Sequence, residues 1–218
     1  MNKKLLIAFR LIVSVTVLVA IVSQLLHGID NNPNFNITNF LSFFTIESNI
    51  FGAIVMLVSA GFLAKNKWSS KLDNFRGAAT LYMTVTGITY FLLLRGIEDQ
   101  LQTPVPWINI VLHYAFPIAI LIDWFISPIS RKITFAKTLA WLSFPIAYVI
   151  YSLLRGLVVF WYPYPFLNPF EQGYPKVIVA SIFIALITLV CALLIARNKN
   201  IIAENASNSL IGGKYFSC

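Results

Sequence analysis

Six long apolar runs, separated by short polar segments, account for most of the chain. A helix needs about 20 apolar residues to cross roughly 30 Å of hydrocarbon, and each run is close to that length or longer. The pattern therefore predicts an all-α integral membrane bundle of six transmembrane helices within residues 1–197. The predicted spans are about 5–26, 39–64, 77–95, 107–127, 136–159 and 175–196.

The first run lacks the features of a cleaved signal peptide. It is longer than the usual apolar core of about 7–15 residues. No small-residue cleavage motif precedes the segment around His27. We therefore expect this run to remain in the protein as the first span.

The composition is typical of a membrane protein and excludes a soluble globular domain. Of the 218 residues, 58% are hydrophobic and 11% are charged, and the mean hydropathy is +0.78; both depart from the balance of soluble domains. The two cysteines, Cys191 and Cys218, form neither a disulfide framework nor a metal motif, and we expect no metal or cofactor. Segment 198–218 is rich in Asn and Ser, which predicts a disordered cytoplasmic tail.

The basic residues predict the orientation in the membrane. Thirteen of the sixteen Lys and Arg residues fall on one side of the six-span arrangement, and such residues collect in cytoplasmic loops. Both termini are therefore predicted to be cytoplasmic, in a multi-pass protein of the cell membrane. This distribution explains the net charge of +8 without a nucleic-acid partner. The thirteen residues are Lys3, Lys4, Arg10, Lys65, Lys67, Lys71, Arg76, Arg131, Lys132, Lys137, Arg197, Lys199 and Lys214.

Polar side chains recur at helical spacing within several spans. In span 2, Ser42, Thr45 and Asn49 are spaced to share one helix face, and Asn109 and His113 are so spaced in span 4. These faces are expected to turn inward, with Thr45 and His113 at similar depths below the outer surface. Similar stripes are Tyr82, Thr86 and Thr89 in span 3 and Tyr148, Ser152 and Arg155 in span 5, with Arg155 expected in the same outer layer.

His113 is the only histidine inside a predicted span, and two interpretations of it are open. It is either a hydrogen-bonded packing residue or a general base that takes a proton from a hydroxyl. The hydroxyl of Thr45 at the same depth favours the second interpretation, with Thr45 as the nucleophile. The candidates for binding a substrate or stabilising an oxyanion are Ser42, Asn49, Asn109 and Arg155.

Three other ionisable residues are candidates for structural ion pairs. Glu47 lies roughly 200° around the helix from Thr45, so the two cannot share a face. We expect Glu47 to pair with Arg95 or Arg155, because an isolated charge is costly inside a membrane. Asp123, near the inner end of span 4, is expected to pair with a Lys or Arg of the cytoplasmic side. Apart from Asp123, the inner half of the bundle is predicted to be apolar.

The outer loop 161–175 alternates aromatic residues with prolines. Aromatic belts at the membrane interface explain such a composition. A lid over a cavity that opens to the outer side is the alternative.

Several short motifs resemble the androgen-induced family of six-span membrane proteins and its bacterial relatives. The motifs are FFTIESN, LLLRG, NIVLHYAFPIAILIDW and YSLLRG with the following YPYPF, and the resemblance extends from the first span through the sixth. Animal members of this family hydrolyse fatty acid esters of hydroxy fatty acids with an intramembrane threonine and histidine. The resemblance implies that Thr45 and His113 have these functions here, with Asn109 before the histidine and Pro117 after it. It also implies a lipid ester as the substrate, taken from the membrane.

Other functions fit some of the same residues. A small proton-coupled transporter, or a membrane protein without enzymatic activity, would use a buried cluster of Glu47, Arg95 and Arg155. A haem carrier would need His27 and His113 as ligands, and these are predicted at different depths. The concentration of polar groups in the outer layer favours a one-sided site over a path through the membrane.

Overall fold

Helices form every regular element of the described residues, 2–98 and 105–212, in the computed structural model, with side chains described through residue 204. Six of the helical segments are long and apolar enough to cross a membrane, which confirms the predicted all-helical bundle of six spans. Spans 1 to 6 are Lys3–Asn31, Phe44–Ala64, Ser70–Leu94, Pro106–Ile126, Phe135–Val159 and Tyr174–Glu204.

The first and last spans place both ends of the described chain at the same end of the bundle. The ammonium group of Lys3 donates to Asn66 Oδ1 at 2.5 Å, in the loop after span 2. Lys132, in the loop after span 4, forms an ion pair of 2.9 Å with Glu204. We call this the terminal end. The opposite end, which carries residues 32–43 and 160–173, is the loop end.

Span 2 begins at Phe44, later than predicted, because the chain breaks just before it. A separate short helix, Ile37–Leu41, precedes the break. Ser42 closes that helix by donating to a carbonyl one turn back at 2.6 Å. The backbone is then extended before span 2 starts. The prediction that Ser42 shares a helix face with Thr45 and Asn49 is therefore wrong, because the residues belong to two different helices.

Spans 3 and 4 each contain one turn of π-helix near the loop end. The two turns are Tyr90–Leu94 and Val111–Ala115. A π turn shifts the side chains around it relative to α-helical positions, and such turns often occur at functional sites. Here they carry Tyr90 and His113, whose rings stack with centroids 4.0 Å apart.

The terminal half of the bundle contains a buried cluster of charges rather than the predicted apolar interior. Asp123 pairs with Arg10 at 2.6 Å and with Arg76 at 3.3 Å. Arg76 also pairs with Asp73 at 3.1 Å, and all four residues are at most 4% exposed. The predicted pairing of Asp123 is confirmed. The assignment of Arg10 and Arg76 to cytoplasmic loops is wrong, since both lie inside spans, where the two carboxylates neutralise them.

The helix of span 6 continues beyond the predicted end at 196 to Gly212. Lys199 is buried, and its ammonium group donates to backbone carbonyls at the end of span 4. Asn200 exchanges two hydrogen bonds of 2.8 Å with the backbone of Ile133. These contacts pack the start of the tail against the bundle, and residues 198–212 are helical where the composition predicts disorder. The remainder, 213–218, lies outside the described residues.

Removing the shared carboxylate of the charge cluster is expected to destabilise the bundle strongly. In Asp123→Ala, Arg10 and Arg76 would both stay buried without their common partner. We expect the free energy of unfolding to fall by about 3–5 kcal/mol. Reversible unfolding of the purified protein in detergent measures this change.

Lys132→Ala is the matched control, because it breaks an ion pair at the same end of the bundle that is open to solvent. The Lys132 and Glu204 side chains are 62% and 55% exposed. Such surface pairs contribute about 0–1 kcal/mol. Similar losses of stability in the two variants would show that the buried cluster is not a main source of stability.

Candidate functional site

Thr45 and His113 meet inside the bundle toward its loop end. Thr45 lies in the first turn of span 2, and His113 lies in the π turn of span 4. The distance from Thr45 Oγ1 to His113 Nε2 is 3.3 Å. The two residues are 7% and 3% exposed. A hydroxyl and an imidazole thus lie within hydrogen-bonding reach, shielded from the surroundings, as the matching depths predict.

Hydrogen bonds determine which ring nitrogen of His113 carries the proton. The Tyr90 hydroxyl donates to Glu98 at 2.5 Å, so its oxygen is free to accept from the Asn109 amide at 2.6 Å. Asn109 therefore turns its carbonyl oxygen toward His113 Nδ1, 2.6 Å away. Because a carbonyl oxygen only accepts, Nδ1 carries the proton, and Nε2 faces Thr45 with a free lone pair. This is the tautomer that a general base requires.

The far end of this chain of hydrogen bonds is a carboxylate outside the spans. The Gly96 N–H donates to Glu98 at 3.0 Å. This bond, followed by the one from Tyr90, lowers the pKa of the Glu98 carboxyl. Glu98 is therefore ionised at neutral pH and acts only as an acceptor. That charge sets the direction of every hydrogen bond from the carboxylate to the threonine.

Tyr164, from the loop before span 6, contacts both the backbone and the side chain of Thr45. Its hydroxyl accepts from the Thr45 N–H at 3.2 Å and lies 3.3 Å from Thr45 Oγ1. Burial raises the pKa of Tyr164 to about 12, so the hydroxyl keeps its proton at neutral pH. Since the oxygen already accepts from the N–H, the proton is available to Oγ1 or to an oxygen atom beside it. The Tyr164 ring stacks on Phe166 at 5.2 Å, which holds it in place.

Asn49 lies beside the site but has no amide hydrogen left to donate. Its amide group donates to the Thr45 carbonyl at 2.8 Å and to the Leu112 carbonyl at 3.2 Å. The second bond joins span 2 to the π turn of span 4. Asn49 therefore positions the two helices that carry the threonine and the histidine, rather than offering a donor to an oxyanion.

Arg155 and Ser42 belong to a separate polar layer nearer the loop end. Arg155 donates to Asn39 at 2.6 Å, and Ser42 Oγ lies 2.9 Å from the Tyr151 hydroxyl. In span 5, it is the Tyr148 hydroxyl that contacts the start of span 2, and Tyr148 is about 10 Å along the helix from Arg155. The prediction that Arg155 shares the depth of the threonine is therefore wrong, because the helix break places the start of span 2 deeper in the bundle than predicted.

The predicted ion pair of Glu47 with Arg95 or Arg155 is not formed. Among the described residues, no Lys, Arg or His nitrogen lies within 4.0 Å of a Glu47 oxygen. The Arg95 guanidinium lies 5.9 Å from the centre of the Phe91 ring. Glu47 instead lines a cleft between spans 2, 3 and 5, away from the cavity that Thr45 lines.

An apolar slot extends from Thr45 between spans 3, 5 and 6. Leu94 and Phe166 line it toward the loop end, and Ile184 and Thr188 line it deeper in the bundle. Thr188 is fourteen residues from the start of span 6 at 174, which corresponds to about 21 Å. The slot therefore offers a narrow apolar space that continues from the threonine deeper into the bundle.

Three residues of the site, Tyr90, Glu98 and Tyr164, are missed by the sequence analysis. Tyr90 falls one position beyond the predicted polar stripe of span 3, and regular helical spacing gives no reason to include it. Glu98 follows a turn at Gly96 with a positive φ of 95°. Tyr164 does have a signal in the sequence, because loop 161–175 is a candidate lid, and its residues do line the slot.

Comparison of the chain with protein-family models, with curated proteins and with solved structures finds no match. The resemblance to the androgen-induced family therefore rests on the short motifs quoted above. The residues that carry it, Thr45, Asn109 and His113, are among those that the structure brings into one hydrogen-bonded chain.

The arrangement predicts that neutral His113 carries its proton on Nδ1. In protein labelled with ¹⁵N-histidine, we expect the two ring nitrogens of His113 to show the chemical shifts of a protonated Nδ1 and an unprotonated Nε2. Asn109→Leu removes the acceptor, and the population of the Nε2-protonated tautomer should rise. The spectrum of His27→Gln shows which signals belong to His113. This substitution leaves the site intact, because His27 contacts Asn31 and no residue of the site. A wild-type protein with Nε2 protonated would contradict the assigned direction of the hydrogen bonds.

Proposed function

We propose that this protein is an intramembrane threonine hydrolase of lipid esters, with Thr45 as nucleophile and His113 as general base. The observation that carries the proposal is the 3.3 Å contact between Thr45 Oγ1 and the unprotonated Nε2 of His113. Asn109 orients the imidazole through Nδ1. A nucleophile, a base and an orienting acceptor in this order form the general arrangement for activating a hydroxyl.

The reaction proceeds in two steps. Thr45 Oγ1 attacks the ester carbonyl while its proton passes to His113 Nε2, and the tetrahedral intermediate expels the alcohol, which takes that proton. Water then attacks the acyl-threonine, again losing a proton to His113, and the carboxylic acid is released as Thr45 Oγ1 regains its proton. General base catalysis of this kind contributes about 10²- to 10⁴-fold to the rate.

Tyr164 is the best-placed donor to the oxyanion of the tetrahedral intermediate. Its hydroxyl oxygen accepts from the Thr45 N–H and lies 3.3 Å from Thr45 Oγ1, so the hydroxyl proton remains available for donation. The other candidates are less suitable, since Asn49 has no free amide hydrogen and Arg155 lies in a separate layer. A preorganised donor of this kind stabilises a transition state by about 2.7–4 kcal/mol.

The apolar slot supports a lipid substrate. Its walls come from spans 3, 5 and 6, and it brings an apolar chain to Thr45 from within the bundle. The motifs that resemble the androgen-induced family favour fatty acid esters of hydroxy fatty acids or a related lipid ester. With both termini cytoplasmic, the loop end would face outward and the site would open to the outer side of the cell membrane.

A transporter or a non-enzymatic membrane protein built on Glu47, Arg95 and Arg155 has less support. The structure does not bring these three residues together. The buried arginines and aspartates of the terminal half are paired with one another instead. Because these charges neutralise one another, we assign them a structural function rather than one in transport.

Labelling with an alkyl fluorophosphonate tests the proposed nucleophile. Thr45 Oγ1 would attack phosphorus, fluoride would leave, and the hydroxyl proton would pass to His113. We expect the wild-type protein to become labelled on the peptide that contains Thr45. Thr45→Ala should abolish labelling, and His113→Ala should slow it by at least about 100-fold. In-gel fluorescence and peptide mass spectrometry measure both effects.

Thr84→Ala is the matched control for loss of a threonine hydroxyl. Thr84 lies in span 3 and donates to the Thr80 carbonyl at 2.7 Å, outside the slot. This variant should label at the wild-type rate. A folded wild-type protein that does not react, or one that reacts equally after Thr45→Ala, would refute the proposed nucleophile.

A further inference from the structure

Among the described residues, the Glu47 carboxylate has no partner. It is partly buried in span 2, and none of the described donors lies within hydrogen-bonding or ion-pairing distance of it. Every other acidic residue described within a span either pairs with an arginine or lysine at 3.3 Å or less, as Asp73 and Asp123 do, or lies at an exposed end of its span. An ionisable side chain inside a span that lacks a protein partner points to a ligand or an ion pathway.

Glu47 lines an open cleft between spans 2, 3 and 5. Span 5 is broken beside this cleft, where helix Phe135–Ala140 ends and a second helix begins at Ser143. The cleft walls are rich in aromatic rings, which are Phe51, Phe75, Tyr82, Trp141 and Phe144.

Two of the other polar side chains of the cleft have partners of their own. Asn74 accepts from the Trp141 indole N–H at 2.9 Å, and Ser143 donates to the Ala140 carbonyl at 2.8 Å. Among the described residues that line the cleft, Glu47 is the one acidic residue, and no Lys, Arg or His lines it. Its carboxylate therefore dominates the electrostatic potential inside an otherwise aromatic and apolar space.

Aromatic rings separate this cleft from the slot beside Thr45. Phe44, which lines the slot, packs on Phe144 at 5.5 Å and on Tyr82 at 6.4 Å. Tyr82 and Phe144, which line the cleft, contact each other at 5.0 Å. The two cavities are therefore distinct, and binding in the cleft does not depend on the function of the slot.

We propose that the Glu47 cleft binds a hydrophobic organic cation from the bilayer, such as an amphiphilic amine or quaternary ammonium. Its ammonium group would pair with the carboxylate, and its apolar body would lie along the aromatic rings. Attraction between opposite charges is strong in a low-dielectric environment, and aromatic faces add a favourable contact with an ammonium group. A divalent metal ion fits less well, because it needs several oxygen ligands and the cleft supplies one carboxylate.

Protection from a hydrophobic carbodiimide tests this site in the wild-type protein, reconstituted in lipid nanodiscs. The carboxyl O–H of Glu47 would add across one N=C bond of dicyclohexylcarbodiimide, and the product would rearrange to a stable N-acylurea without loss of any atom. We expect dodecyltrimethylammonium to suppress this labelling. Dodecyl sulfate and the neutral dodecyl maltoside at the same concentration should leave it unchanged. Mass spectrometry of the peptide that contains Glu47 measures the label.

Calorimetric titration with dodecyltrimethylammonium tests the charge directly. Glu47→Gln keeps the shape of the side chain and should weaken binding at least about tenfold, which corresponds to about 1.4 kcal/mol. Glu171→Gln removes a carboxylate from the exposed loop and should bind as the wild type does. Equal affinity after Glu47→Gln, or equal protection by the anionic and neutral amphiphiles, would overturn the proposal. If Glu47→Gln fails to fold, the protection experiment on the wild-type protein still decides.

Discussion

The bilayer offers no water to a buried charge, so the charged side chains inside this bundle depend on partners within it or on a ligand. This constraint organises the whole structure. Near the terminal end, two arginines and two aspartates satisfy one another and connect spans 1, 3 and 4. Toward the loop end, a continuous chain of hydrogen bonds runs from Glu98 through Tyr90, Asn109 and His113 to Thr45.

The charge cluster and the chain of hydrogen bonds differ in what they leave available. In the charge cluster, the carboxylates and guanidinium groups are paired with one another, and they connect the helices. In the chain from Glu98 to Thr45, the pattern of donors and acceptors leaves Nε2 of His113 as an acceptor and the hydroxyl of Thr45 as its donor. That pair lies beside an apolar slot. A reactive hydroxyl next to a space for an acyl chain is the physical basis of the proposed hydrolase.

The sequence predicts the helical bundle and the central pair well, because both depend on regular spacing. Apolar runs define the spans, and helical periodicity places Asn109 and His113 on one face. Irregular backbone limits the rest. The break before span 2 separates Ser42 from Thr45, and the π turns bring Tyr90 over the imidazole. The sequence also cannot show that Arg10 and Arg76 are buried, since a pair of opposite charges from distant spans gives no local signal.

The central claim is that Thr45 forms a covalent acyl intermediate with a lipid ester. It is tested most directly by incubating the purified protein with a long-chain fatty acid ester of a hydroxy fatty acid, quenching in acid and mapping acylated peptides by mass spectrometry. The account predicts the acyl group on Thr45 Oγ1 during turnover. Hydrolysis without acylation of Thr45, or acylation at another residue that persists in Thr45→Ala, would contradict it.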